Sequence, residues 1–205
     1  MSKQLVIGIT GHRRIHTYFQ QRIAQETDYF LKRIKGENQD CHLVLQSPLA
    51  EGADRIAAKA ALLNGFELIV PLPFEIEEYR KDFDSEKSKM EFEELSSQAT
   101  KVFVPELTDF KLKNRDDGYL RVGSYLAQSS HILLSLWDLR KDLELKGGTA
   151  HIIHYQLEGF PHDLYFKKAL SDRKTFVIPT PRDGIRHTEE LKGFYITNSI
   201  YKSLK

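Results

Sequence analysis

The chain has 205 residues, 40% hydrophobic and 29% charged, enough for one core of ordinary size and too few for two large ones. Its 30 Lys and Arg stand against 29 Asp and Glu, and a formal charge of +1 excludes the global field that draws proteins onto nucleic acid or anionic lipid. A single cysteine, Cys41, excludes an internal disulfide, no run approaches the roughly 20 apolar residues that cross a bilayer, and the start MSKQLVIGIT lacks the features of a signal peptide, so a cytoplasmic location is expected.

In chain order, Leu5-Val6-Ile7-Gly8-Ile9 reads as a buried strand that stops at the polar turn Thr10-Gly11-His12-Arg13-Arg14. Phe19, Ile23, Thr27, Phe30, Leu31 and Ile34 then recur at helical spacing, and Gly36 is placed to end that helix. The unit repeats: a strand at His42-Leu43-Val44-Leu45, the turn Ser47-Pro48, and a helix carrying Ala53, Ile56, Ala57, Ala60 and Ala61 up to Asn64-Gly65. A third strand, Glu67 to Val70, runs into Pro71-Leu72-Pro73-Phe74, which is expected to be loop. Residues 75 to 98 are highly charged with intermittent apolar points and read as solvated helix. A short strand at 102–104, a polar loop at 108–117, a helical stripe from Tyr119 to Ala127 and a strand at Ile132 to Trp137 follow. Gly147-Gly148-Thr149 opens a helix over 149–158, Thr175 to Ile178 is a last strand, and Ile196, Ile200 and Leu204 recur at helical spacing near the end. Nearly all-apolar strands alternating with helices define an α/β, Rossmann-like fold, a mostly parallel sheet with helices on both faces. The expected division is a domain over 1–185 and a C-terminal extension over 186–205, serving as docking helix or linker.

Ligands of such sheets bind beyond the carboxyl ends of the strands, so the turns there are the places to search. Thr10 to Arg14 offers free amides, a hydroxyl and guanidinium groups to a phosphate, or is a glycine turn followed by solvated arginines. In Ser47 to Arg55, Gly52-Ala53 begins a helix, Glu51 is placed to take ribose hydroxyls, and Asp54 reads first as a helix cap. Asp138 ends the best strand, and Gly147-Gly148-Thr149 makes a backbone phosphate cradle, or a loop that lets its helix pack on the sheet. The absent lysine of a phosphate-binding loop excludes a kinase-like reading of that segment. The Pro71 to Phe74 loop, with Tyr79 close behind, is either a wall of a nucleoside pocket or plain structure. His151 and His154 lack further ligands, so no metal is expected.

The set Ile9-Thr10-Gly11-His12-Arg13, Ala50 to Arg55, Leu72-Pro73-Phe74 with Tyr79 and Phe83, Leu136-Trp137-Asp138 and Gly147-Gly148-Thr149 resembles the SLOG superfamily over residues 4–182. That Rossmann-like group unites the Lonely Guy phosphoribohydrolases, DNA-processing protein A, and nucleotide-sensing domains of bacterial conflict (defence) systems and melastatin-type channels. The resemblance implies a nucleotide-derived ligand, with Thr10, Gly11, His12 and Arg13 on one side, Ser47, Glu51 and Gly52 on another, Asp138 beside them, and Gly147, Gly148 and Thr149 at the phosphate. The Gly-His-Arg version resembles the sensor type, for ligands such as ADP-ribose, NAD or a cyclic nucleotide, which implies an effector or membrane partner and self-association into a homo-oligomer. No separate cofactor is implied. The alternative is an N-glycosidic hydrolase, with Glu51 or Asp138 stabilising the ribosyl centre and Arg13 holding phosphate. The segment Lys146 to Ile153 departs from the enzymes' P-G-G-x-G-T-x-x-E pattern, lacking both the proline and the glutamate. A nucleic-acid partner is not expected from a charge of +1.

Overall fold

The apolar runs form the centre of one sheet because they can be covered from both sides. A computed structural model describes residues 3–107, 110–167, 169–182 and 191–204. Seven strands, β1 (Lys3–Gly11), β2 (Cys41–Gln46), β3 (Glu67–Pro71), β4 (Lys101–Phe103), β5 (Ile132–Trp137), β6 (Lys174–Pro179) and β7 (Phe194–Ile196), lie in the order β4-β3-β2-β1-β5-β6-β7. All neighbours are parallel except β6 and β7. The register sets Ile7 opposite Leu45 on one side of β1 and Ile9 opposite Leu134 on the other.

Helices cover both faces: α1 (Gln20–Glu37) and α2 (Ala53–Leu63) on one, α5 (Arg115–Ser129) and α6 (Thr149–Glu158) on the other. Strand β5 shows how the sequence divides between them. Ile132, Leu134 and Leu136 join the core under α1 and α2, while Leu133 packs with Leu120, Ala127 and Ile152 beneath α5 and α6. All six residues of β5 are buried, as a strand covered on both faces requires. Phe30 of α1 stacks on Phe176 of β6 at a ring separation of 4.2 Å. Gly123 lets α6 approach α5: a Cβ there would lie 2.6 Å from the Ile152 side chain.

Four expectations are corrected. Pro71 is the last residue of β3 rather than loop. It pairs with Phe103 of β4, while β2 pairs with β3 only through Ile69, so the missing amide breaks no ladder bond on that side. Residues 75–98 are not a solvated helix all round: α3 (Ile76–Tyr79), a 3-10 turn and α4 (Glu86–Ser97) bury Tyr79, Phe83, Phe92 and Leu95 in the main core. The expected loop at 108–117 gives way to α5 at Arg115, because Asn114 and Asp117 cap the helix reciprocally; residues 108 and 109 lie outside the described residues. Ile196 is in β7 rather than a helix, and the helix after it, α7 (Asn198–Ser203), sets Tyr201 against Trp137. The expected boundary between residues 185 and 186 also lies outside the described residues.

Candidate functional site

The connections from β1 and β5 diverge at their neighbouring carboxyl ends, the switch point at which open α/β sheets bind ligands. A cavity of about 390 Å³ opens there, walled by the turn after β1, the start of α2, one face of α5 and the start of α6. Thr10, Gly11, His12, Arg13, Gly147, Gly148 and Thr149 line it; Ser47, Glu51, Gly52 and Asp138 do not.

The turn after β1 is fixed by backbone contacts on both sides. The His12 amide donates to the Leu136 carbonyl at 3.2 Å, and the His12 carbonyl accepts from the Ala53 amide at 3.1 Å. Glycine is required where these segments cross. Gly52 has φ +77°, and a Cβ on it would lie 2.3 Å from the Arg13 carbonyl oxygen. Gly11 packs so closely on α2 that its Cβ would meet that of Ala53 at 2.3 Å.

Asp138 positions two groups of the rim. His12 Nε2 lies 3.1 Å from the Asp138 amide nitrogen and 3.2 Å from Oδ1, and Oδ2 takes Nε and Nη2 of Arg182 at 2.8 and 2.7 Å. Burial acts to raise this carboxyl, but His12 and Arg182 outweigh it and hold it below its ordinary value. Arg182 is therefore neutralised, and Lys146 is likewise paired, with Asp117. Arg13 and Arg14 differ. Both line the cavity and neither has a carboxylate within ion-pair distance among the described residues. Arg13 lies over the Tyr119 ring, 5.2 Å from its centroid, and Tyr119 is held by its hydroxyl donating to Asp82.

At α6 the two glycines do not offer their own amides. Gly147, at φ +76°, donates to His151 Nδ1 at 3.2 Å, and Gly148 donates to the Leu145 carbonyl at 2.9 Å. The first bond of the helix runs from Ile152 to the Gly148 carbonyl, and Gly148 has no side chain to cap it. The amides of Thr149, Ala150 and His151 are the donors left at this positive helix end. Burial, then His154 and Lys146, lower the His151 pKa, which suits a neutral ring accepting from Gly147.

The 47–55 segment turns mostly inward. Ser47 is buried, its hydroxyl accepting from Leu49 and donating to the Asp54 carbonyl, both at 3.2 Å. Glu51 accepts the Ser88 hydroxyl, and Arg55 binds the Leu49 carbonyl and Glu91, which ties this turn to α4. Asp54 is the carboxyl of the segment that reaches the cavity. Only 6% exposed, it accepts the Ala50 amide at 3.1 Å, and burial pushes its pKa up to about 7 against the pull of that amide, Arg13 and Arg55. Tyr79, 1% exposed, lines the same cavity, and burial first, then Asp54, raises its pKa.

Arg14, weighed from the sequence with the phosphate turn, and Tyr79, weighed as a pocket wall or plain structure, also line the cavity, as do Asp54, read from the sequence first as a helix cap, and Tyr119 and Arg182, which were not proposed as ligand contacts. A signal existed for two of them. Tyr79 and Phe83 are spaced four apart, as buried aromatics on one helical face are, and Asp54 follows Ala53 on a helix whose buried stripe continues at Ala57 and Ala58. No group of three metal-ligating side chains occurs among the described residues, and no helix among them is long and apolar enough to cross a membrane.

No family model matches the chain, and no curated protein does. Three solved structures are similar in fold. DNA processing protein A from Streptococcus pneumoniae aligns at a TM-score of 0.42 and 15% identity over 64% of this chain and 41% of that one. The Helicobacter pylori protein of that name, described for its single-stranded DNA binding mode, aligns at 0.46 and 18% over 75% and 62%. The Moco carrier protein of Chlamydomonas rheinhardtii aligns at 0.32 and 14% over 66% and 62%. The chain thus spans 41% of the first of these and 62% of the other two.

Proposed function

We propose that the chain binds a nucleotide-derived ligand of the ADP-ribose, NAD or cyclic nucleotide type and signals its occupancy to an effector. The observation that carries this is the union, in one apolar-walled cavity of about 390 Å³, of two arginines without carboxylate partners among the described residues and a helix start without a side-chain cap. Both arginines are exposed to the solvent of the cavity, where an anionic ligand can take their charge with bidentate geometry. The volume suits a nucleotide-sized molecule, and the Tyr119 ring beneath Arg13 offers a stacking surface. Binding of this kind signals by favouring whichever state of the protein holds the ligand more tightly.

The test is mass spectrometry of protein incubated with AMP, ADP-ribose, NAD and cyclic nucleotides, comparing retained and free fractions. Intact nucleotide retained by the protein, with affinity falling at least about tenfold in Arg13→Ala, is the expected result. No retention, or retention indifferent to Arg13→Ala and Arg14→Ala, overturns it. Loss of nucleotide matched by free base or ribose phosphate would instead favour the hydrolase. For that reaction Glu51 and Asp138 are poorly placed, each being engaged outside the cavity, whereas Asp54 lines it.

A further inference from the structure

Two buried side chains that line the cavity each carry an oxygen not used by the described residues. The Tyr79 hydroxyl has no hydrogen-bond partner among the described residues, although the side chain is 1% exposed and its ring packs edge-on against Phe83 and Phe92, at 5.2 and 5.7 Å. Phenylalanine would pack there equally well without burying an unpaired hydroxyl. Asp54, 6% exposed, uses Oδ2 on the Ala50 amide and leaves Oδ1 without a partner among the described residues. Neither oxygen is sealed inside the protein: both residues line the cavity, and neither atom is among the fully enclosed polar atoms that lack partners. They come from different elements, α2 and α3, and meet only because the aromatic cluster pins α3 over the start of α2. Arg13 is within electrostatic reach of both.

We propose that Asp54 and Tyr79 form the sugar-recognising end of the cavity, hydrogen-bonding the vicinal hydroxyls of a ribose whose phosphate lies on Arg13. The proposal rests on the nucleotide reading above and adds the class of sugar. A carboxylate accepts from hydroxyl donors, and a phenol both donates and accepts, so the pair matches two adjacent hydroxyls. The lining includes the apolar side chains of Ile9, Pro48, Val122 and Leu126, which offer nothing to a second charged group. A neutral diol at the inner end and an anion at the outer end is the ligand such a polarity calls for. Glu51, expected from the sequence to take ribose hydroxyls, leaves that task to the carboxyl three residues later because its own oxygen is held by Ser88.

The experiment is calorimetric titration of the wild-type protein, Tyr79→Phe and Asp54→Asn with AMP and ADP-ribose, each against its 2′-deoxy form, and with IMP against AMP. Tyr79→Phe removes a hydroxyl that bonds to none of the described residues, so its melting temperature should not fall, and circular dichroism checks this for both variants. The wild type should prefer the ribose form by at least about tenfold, because a site built to bond a hydroxyl rejects the analogue lacking it. Each variant should shrink that preference to less than about threefold while leaving affinity for the deoxy form nearly unchanged. Equal affinity for ribose and deoxyribose forms, with binding still lost in Arg13→Ala, overturns this assignment and leaves the nucleotide reading standing. A preference for AMP over IMP that disappears in Asp54→Asn, without a ribose preference, overturns it in favour of contact with the base. Failure of every nucleotide to bind the wild type overturns both.

Discussion

The two helix starts at the cavity, Gly52 at α2 and Gly148 at α6, look alike in sequence and differ in what holds them. Each is an N-cap glycine without a side-chain cap, preceded by a turn and followed by small residues. At α2 the backbone of the turn after β1 lies directly on the glycine, and the Ala53 amide is spent on the His12 carbonyl. At α6 the strain falls one residue earlier, on Gly147, whose Cβ would lie 2.6 Å from the Leu120 amide nitrogen, and Gly148 itself has an ordinary φ of −70°. One helix start thus has its first amide taken by the protein's own chain, and the other keeps its first amide free. The largest effect expected from breaking this contrast is in Gly52→Ala, which combines a positive φ with clashes against two carbonyls. It should cost more than about 4 kcal/mol or prevent folding, as read by urea denaturation. A variant of nearly native stability would show that the turn after β1 yields, and that the α2 end is as open as that of α6.

Next in size is the carboxyl in the first turn of α2. Asp54 faces Arg13 from the turn after β1, Arg55 on its own helix, the Ala50 amide and Tyr79 from α3, and burial outweighs the attractive partners. Its value is 3.8 when solvated and about 7 in the folded protein, so between these the folded state holds a proton that the unfolded state has released. Its contribution is complete below the unfolded value and is lost as pH rises through about 7. Stability should therefore increase from pH 8 to pH 5, and Asp54→Asn should flatten that dependence and be more stable than wild type at pH 8 by about 3 kcal/mol. Denaturation curves at the two pH values decide it, and an unchanged slope in the variant would assign the titration elsewhere.

A smaller effect separates Gly148 from Gly52. Alanine at Gly148 meets the Leu145 carbonyl at 3.0 Å and the Leu145 side chain at 3.2 Å, and that side chain is largely exposed and free to move. The expected cost is about 1 kcal/mol in thermal melting, the ordinary penalty of alanine at an N-cap. Nucleotide affinity should fall by more than stability does, since the methyl stands beside the free amides of Thr149 and Ala150. Full affinity in this variant would remove α6 from the anion site.

The elements were legible where the apolar period was unmistakable. Ile132 to Trp137 can be read as a strand covered on both faces because every residue in it is apolar or small, and residues 149–158 follow a glycine pair that only a helix start or a tight turn explains. β7 was not legible. Three residues at a sheet edge carry no alternation, and Ile196 falls by coincidence four before Ile200, so the helical period absorbed it. In the site, residues next to strand ends were legible from topology alone, since the fold places every such turn on one side of the sheet. Asp54 read only as a helix cap and Tyr79 as either pocket wall or plain structure, because their neighbours are charged. Glu77, Glu78 and Lys81 give the helix around Tyr79 a solvated appearance, although their charges point outward and the aromatic points in. An aspartate in a first helical turn reads as a dipole partner, and only the tertiary contact with the Ala50 amide and the cavity shows otherwise.

The smallest effect belongs to Glu51, and it sharpens the comparison most directly because Glu51 and Asp54 belong to one motif. Glu51 accepts the hydroxyl of Ser88, which in turn accepts Arg55 Nη1 at 3.0 Å, so its carboxylate is one link in the clamp between α2 and α4. Arg55 keeps Glu91 as its charge partner whatever stands at residue 51. Glutamine preserves the shape and one acceptor oxygen, and the remaining ion pair holds the clamp. Glu51→Gln should therefore change stability by less than about 1 kcal/mol and leave nucleotide affinity and the ribose preference where they were. A ribose preference lost in Glu51→Gln but kept in Asp54→Asn would reverse the two roles. It would require the turn at 47–51 to swing Glu51 away from Ser88 when ligand binds, and hence α4 to move with it.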